Sequence, residues 1–233
     1  TKNIYIFLYK KIVELAFYQG LVSQIEFGNV NLLLPKIKDK VVETNKKENF
    51  YTKDEYDQFM KVITEDFDRV LFTFLYYGGF RINELLAITP NDINFEERYV
   101  SINKSILHYS KIMSSPKTKN SYRKVYFNKS NIEMMKNYIE NKGIKGDETM
   151  FNIVDQAVAF KIKKYAKLAG IKSITPHGFR HSCCSMLIQA YIDHNLTINF
   201  KQISSHLGDT VDTVYQVYSH LYEDEKKKII DLL

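Results

Sequence analysis

Residues 67–77 read Phe-Asp-Arg-Val-Leu-Phe-Thr-Phe-Leu-Tyr-Tyr and are apolar on nearly every side of a helix. Such a helix must lie inside a folded domain or inside a membrane. The nearly uncharged run 70–80 is closed by Arg69 and Arg81 and is far too short to cross a bilayer. The helix is therefore expected at the centre of a globular domain, ending at Gly78-Gly79.

The rest of the chain supplies what would surround it. Residues 4–17 carry apolar positions at helical spacing, with Gly20 as a stop. A lysine-rich stretch follows Pro35 and reads as a linker. The expected division is 1–35 as the remnant of one domain, 36–50 as linker and 51–233 as the main domain. Within the last, residues 52–63 open with a Thr-x-x-Glu capping box, Thr52 to Glu55. Residues 132–141 and 154–169 read as amphipathic helices, the second ending at Gly170. Thr175-Pro176 starts another, threonine as cap and proline at the first helical position. Residues 99–106 and 122–127, rich in β-branched and aromatic side chains, flank Pro116 and Asn120 and read as a β-hairpin with a long tip. The expected class is α+β, mainly α-helical, with a small antiparallel sheet.

With 45% hydrophobic and 26% charged residues the composition is that of a globular chain, not a disordered one. The net charge of +6 permits a polyanionic partner. The two cysteines, Cys183 and Cys184, are neighbours that geometry keeps from bridging each other. With no secretory signal in the sequence, they point to a reducing, cytoplasmic setting. No Cys/His spacing suggests zinc.

Four segments carry groups suited to an anion. In Gly78-Gly79-Phe80-Arg81-Ile82-Asn83-Glu84, an arginine follows a helix–glycine turn, and Glu84 can reach back to orient it. An ion pair at a helix end is the other reading. Residues 111–124 hold Lys111, Lys117, Lys119, Arg123 and Lys124 with no acid; like charges packed so tightly call for an anion among them, or form a solvated loop. In Thr175-Pro176-His177-Gly178-Phe179-Arg180, His177 and Arg180 share a face of a first helical turn, where unpaired N–H groups favour phosphate. A capping histidine is the alternative there, and Gly178 is read as leaving room for a ligand. Finally, Leu207-Gly208-Asp209 precedes Tyr218-Ser219-His220. One tyrosine among 17 says little by itself.

Taken in order, these segments resemble the tyrosine recombinases, the phage-integrase family. That family has an arginine after a helix–glycine turn with glutamate three on, a hairpin lysine, a His-x-x-Arg box, a Leu-Gly-His or Leu-Gly-Trp box, and a nucleophilic tyrosine about nine residues later. The resemblance covers most of the chain, from about residue 51 to His220, and residues before Pro35 match the end of the family's core-DNA-binding domain loosely.

The resemblance implies a site-specific recombinase that integrates or excises a mobile element or prophage through a 3′-phosphotyrosine. It implies Arg81 and Arg180 on the scissile phosphate, and Lys117, or Lys119 in its stead, protonating the leaving 5′ oxygen. His177 would accept or position the tyrosine proton, and Tyr218 would be the nucleophile. Lys111, Lys119, Arg123 and Lys124 would contact DNA. It further implies double-stranded DNA as partner, a homo-tetramer on two duplexes, an accessory directionality protein, neither ATP nor metal, no membrane, and a bacterial or phage source with a nucleoid-associated location. Two rivals stand: a type IB topoisomerase, and a DNA-binding protein that has lost catalysis.

One position departs from the family pattern. Asp209 stands where histidine or tryptophan is usual, and an ionised carboxylate repels phosphate. It is read as the cap of the tyrosine helix, with Asp212 as its partner and His206 or His220 as substitute donor. The apolar positions Leu221, Ile229, Ile230, Leu232 and Leu233 form a stripe that packs on a neighbouring protomer or on its own domain.

Overall fold

A computed structural model describes residue 9 and residues 12–23, 49–106, 113–114 and 122–221. The chain divides into two units, Thr1–Lys46 and Lys47–Leu233. In the first, residues 12–18 are helical and the stop is at Gly20, with φ 71°. The remainder of the helix expected over 4–17, the lysine-rich stretch up to residue 48 and the tail beyond Leu221 lie outside the described residues.

In the second unit the expected central helix is α2, Asp66–Gly78, preceded by α1, Lys53–Lys61. The capping box at Thr52 is formed: its hydroxyl accepts from the N–H of Glu55, whose carboxylate accepts the N–H of Thr52 at 2.9 Å. Val70, Leu71, Phe72, Phe74, Leu75 and Tyr76 of α2 are all within 1% of full burial. Gly78 is the last helical residue and Gly79 the left-handed cap, φ 58°. A Cβ on Gly79 would also fall 2.5 Å from Leu207 Cδ2, so conformation and packing both require glycine there.

After α2 come α3 (Ile82–Leu85), α4 (Lys129–Lys142), α5 (Asp155–Ala169), α6 (Pro176–Asp193), α7 (Phe200–Leu207) and α8 (Val211–Leu221). Helix α2 packs on α4 and α6, and α8 packs on α6 and α7. A second apolar cluster, Cys183, Cys184, Ile188, Ile203, Leu207 and Val214, holds α6, α7 and α8 together. Both cysteines are buried free thiols, and burial raises the pKa of Cys184 to about 12.

The sheet is antiparallel throughout but more divided than the single hairpin expected. Strand β2 (Tyr99–Ile102) lies between β1 (Ile93–Asn94) and β5 (Arg123–Tyr126). Val100 faces Val125 and Ile102 faces Arg123. The pairing stops at Asn103-Lys104, where Lys104 turns to Asp92, 2.7 Å away. A separate ribbon then forms from β3 (Ser105–Ile106) and β4 (Met113–Ser114). Strand β1, two residues long, has no period of its own to read and was not expected.

Candidate active site

The site lies where α7 ends. Gly208 is its left-handed cap, φ 67°, and three arginines from distant segments close on the carbonyl oxygens there. A helix leaves its last carbonyls without partners and carries partial negative charge at that end, so cations belong there. Arg123 donates to the carbonyl of His206, Arg180 to that of Leu207 and Arg81 to that of Gly208.

Arg81 is the N-cap of α3 and is 42% exposed. Its second donor, Nη1, meets Glu84 Oε1 at 3.0 Å, so the expected Arg–Glu pair is present. Glu84 is buried, and its other oxygen accepts from Arg123 at 2.8 Å. Burial alone would raise the Glu84 pKa, but the hydrogen bond and charge of Arg123, then those of Arg81, outweigh it and lower the net value.

Arg180 lies in the second turn of α6, 4% exposed, with its guanidinium between the carbonyls of Gly79 and Leu207. Its outer nitrogen meets Asp209 Oδ2 at 2.8 Å, and Arg81 Nη2 approaches the same oxygen to 3.9 Å. One carboxylate oxygen thus marks the point where both guanidinium groups converge.

His177 lies one residue inside the helix start and packs edge-on against His181, ring centroids 4.5 Å apart. Burial first, and Arg180 next, lower its pKa, leaving a neutral ring at pH 7. Thr175 caps α6 as expected, its hydroxyl accepting from Gly178 N–H. The room foreseen beside Gly178 is occupied: a Cβ there would meet the Asn49 carbonyl at 2.6 Å.

Asp209 is not the cap of the tyrosine helix. Thr210 is, its hydroxyl accepting the N–H of Thr213 at 3.2 Å. By residue type Asp209, one residue earlier, is an equally good cap, and only the arginines decide between the two. Burial acts to raise the Asp209 pKa, and Arg180 with the Thr210 N–H and Arg81 bring it below the ordinary value. His206 turns away to the carbonyl of Tyr77, 3.2 Å from Nε2.

Tyr218 lies on α8, half-buried, its ring edge-on to Phe200 at 5.3 Å. Its rival Tyr215 is 54% exposed and also packs on Phe200. Arg123, expected to face DNA, instead has a side chain 3% exposed and turned to the core face of the sheet. Lys124, its neighbour, is exposed and sits 4.1 Å over the Tyr99 ring. Lys111, Lys117, Lys119 and the side chain of His220 lie outside the described residues. Among the described residues no group of three or more His, Cys, Asp or Glu is set to hold a metal, and no helix is long and apolar enough to cross a membrane.

All the described groups fall within residues 49–225, which match the model of the phage integrase family. The chain belongs to that family. Among its relatives is the ICEBs1 integrase of Bacillus subtilis, 29% identical over 241 residues, which cover 96% of this chain and 62% of that protein. The tyrosine recombinase XerA of Pyrococcus horikoshii is 22% identical over 218 residues, covering 92% of this chain and 73% of that protein. This phage-integrase chain thus spans about three-fifths of the length of the Bacillus relative.

Among solved structures, the Tn1549 transposon integrase in complex with transposon right end DNA superposes with a TM-score of 0.66 at 18% identity, covering 96% of this chain and 84% of that one. The crystal structure of XerA recombinase gives 0.60 at 19% identity, covering 78% of this chain and 64% of that one. These likenesses establish the fold, a mostly helical tyrosine-recombinase catalytic domain with a small antiparallel sheet.

Proposed function

We propose that this chain is the catalytic part of a site-specific DNA recombinase of the integrase type. The observation that carries this reading is the convergence of Arg81 and Arg180 on one carboxylate oxygen, the place where a doubly held phosphate would sit. Two planar cations aimed at one point suit the non-bridging oxygens of a phosphorane-like transition state.

In this reading Tyr218 Oη attacks phosphorus and the bond to the 5′ oxygen breaks. The tyrosine proton passes to His177, and Lys117 gives a proton to the departing 5′ oxygen. The product is a 3′-phosphotyrosine that keeps the energy of the phosphodiester, so rejoining needs no ATP. Lys119 is the substitute acid, and Lys111 and Lys124 contact the duplex. The substrate is double-stranded DNA at the ends of a mobile element or prophage. Assembly as a tetramer on two duplexes and a directionality partner are parts of the same proposal, as is a nucleoid-associated location.

A second reading has one observation in its favour. The Asp209 carboxylate already fills the arginine pair, as it would in a protein that covers DNA without cutting it. Incubation with a nicked suicide duplex from the element's own ends, followed by a denaturing gel, decides between them. A covalent adduct lost in Tyr218→Phe supports the recombinase; DNA binding with no adduct supports the covering protein. Relaxation of any supercoiled plasmid by the monomer would indicate a topoisomerase instead.

A further inference from the structure

The role of Arg123 follows from where its two ends go. Its Nε donates to the carbonyl of His206 at 2.9 Å, and its Nη2 to Glu84 Oε2 at 2.8 Å. Glu84 in turn takes Nη1 of Arg81 on Oε1 and the Arg81 backbone N–H on Oε2. The planar guanidinium therefore spans two elements, the end of α7 and the start of α3. It lies flat against Gly208, where a Cβ would come within 2.7 Å of Nη1. A lysine ammonium, one point charge, cannot hold both acceptors in fixed directions.

We infer that Arg123 is a positioning residue for the phosphate site: through Glu84 and the His206 carbonyl it sets the place of the Arg81 guanidinium and the exit of the chain into the tyrosine helix, without touching DNA. This rests on the recombinase reading. Geometry supports it: Arg81 and Arg123 share Glu84, while Arg81 and Arg180 share Asp209, so Glu84 links Arg123 to the pair that faces the phosphate. Glu84 held by Arg123 also leaves Arg81 free to point its second nitrogen past the carboxylate, to the Gly208 carbonyl.

The test uses the full chain, single-turnover cleavage and two suicide duplexes. One carries the normal scissile phosphate; the other carries a methylphosphonate, in which a neutral methyl replaces one charged oxygen. Arg123→Met is expected to bind DNA within about threefold of the parent and to cleave the phosphate about a hundredfold more slowly, the usual loss for a misaimed donor. On the methylphosphonate, where less charge needs holding, the deficit should shrink to under about tenfold, following the same logic. Arg123→Lys, which keeps the charge and the volume, should show the same pattern with a smaller loss, and it serves if the methionine variant does not fold.

Equal losses on both duplexes would mean a merely structural role and overturn the inference. So would weakened DNA binding with a normal rate at saturation, the behaviour of a direct DNA contact. A parent chain that forms no adduct on either duplex would overturn the recombinase reading and this inference with it.

Discussion

Asp209 is the residue on which the site turns. Its carboxylate is 23% exposed and holds a 4% exposed arginine, so the pair is mostly out of water. Removing one partner of such a pair costs about 1–3 kcal/mol, somewhat less than for a fully buried one, because the other is left uncompensated. A lost helix cap costs about 1 kcal/mol and belongs to Thr210. Asp209→Asn is therefore expected to lower the melting temperature in phosphate-free buffer, and added inorganic phosphate should restore it by taking the vacated place. Cleavage should rise several-fold, since the scissile phosphate would no longer compete with a carboxylate for Arg180. Thr210→Ala should lower the melting temperature without any phosphate effect. A slower Asp209→Asn enzyme indifferent to phosphate would show that the aspartate assists the reaction rather than opposing it. Tyr218→Phe should bind DNA normally and form no adduct; adduct loss in Tyr215→Phe instead would move the nucleophile one turn back along α8.

At the scale of elements, what could be read in advance was what depends on neighbours in sequence. The Thr52 box, the Thr175-Pro176 start, the Gly79 stop and the Arg81–Glu84 pair are all set within four residues, and the structure has each of them. What depended on distant partners was not read. Hairpin charge and the family resemblance together put Arg123 on the DNA side, yet its strand alternates: Val125 is buried and Lys124 and Tyr126 are exposed, so residue 123 must face inward. That signal was in the sequence. The three-arginine seat at the end of α7 was not, because Arg81, Arg123 and Arg180 come from three elements joined only by tertiary packing. The seat makes a prediction about its glycines. Gly208→Ala would strain a left-handed residue and push on Arg123, a tight contact on a side chain already held at both ends. It should cost about 1–2 kcal/mol of stability, read by urea unfolding, and slow cleavage more than Gly143→Ala. Gly143 is an equally left-handed cap, φ 63°, with nothing near its missing Cβ. Equal effects at the two glycines would mean that strain alone matters and that contact with Arg123 does not.

The whole molecule combines a half-buried arginine site with a net charge of +6, and pH and salt probe the two separately. His177, His181 and His206 are all held below their ordinary pKa, by burial first and by neighbouring charge after it. The folded state therefore binds fewer protons than the unfolded chain below about pH 6.5. Stability from these neutral rings is complete above that pH and lost as pH falls through their folded values; Glu84 and Asp209, also lowered, add a further loss below about pH 4. The melting temperature should be level from pH 7 to 8 and fall between 6.5 and 5, less steeply in His206→Gln; a level profile down to pH 5 would contradict the histidine account. Salt reads the charges that would meet phosphate. Lys111, Lys117, Lys119 and Lys124, with Arg81 and Arg180 sharing one phosphate, can neutralise about five phosphates, for a slope of log Kd-derived affinity against log salt of about −4.5. Arg123 adds nothing to that sum if it is sealed between Glu84 and the His206 carbonyl. Lys119→Ala should therefore shallow the slope by about one, while Arg123→Met leaves it unchanged. A slope near zero in the parent would remove DNA as the partner, whereas a slope that shallows in Arg123→Met would return that arginine to the DNA surface.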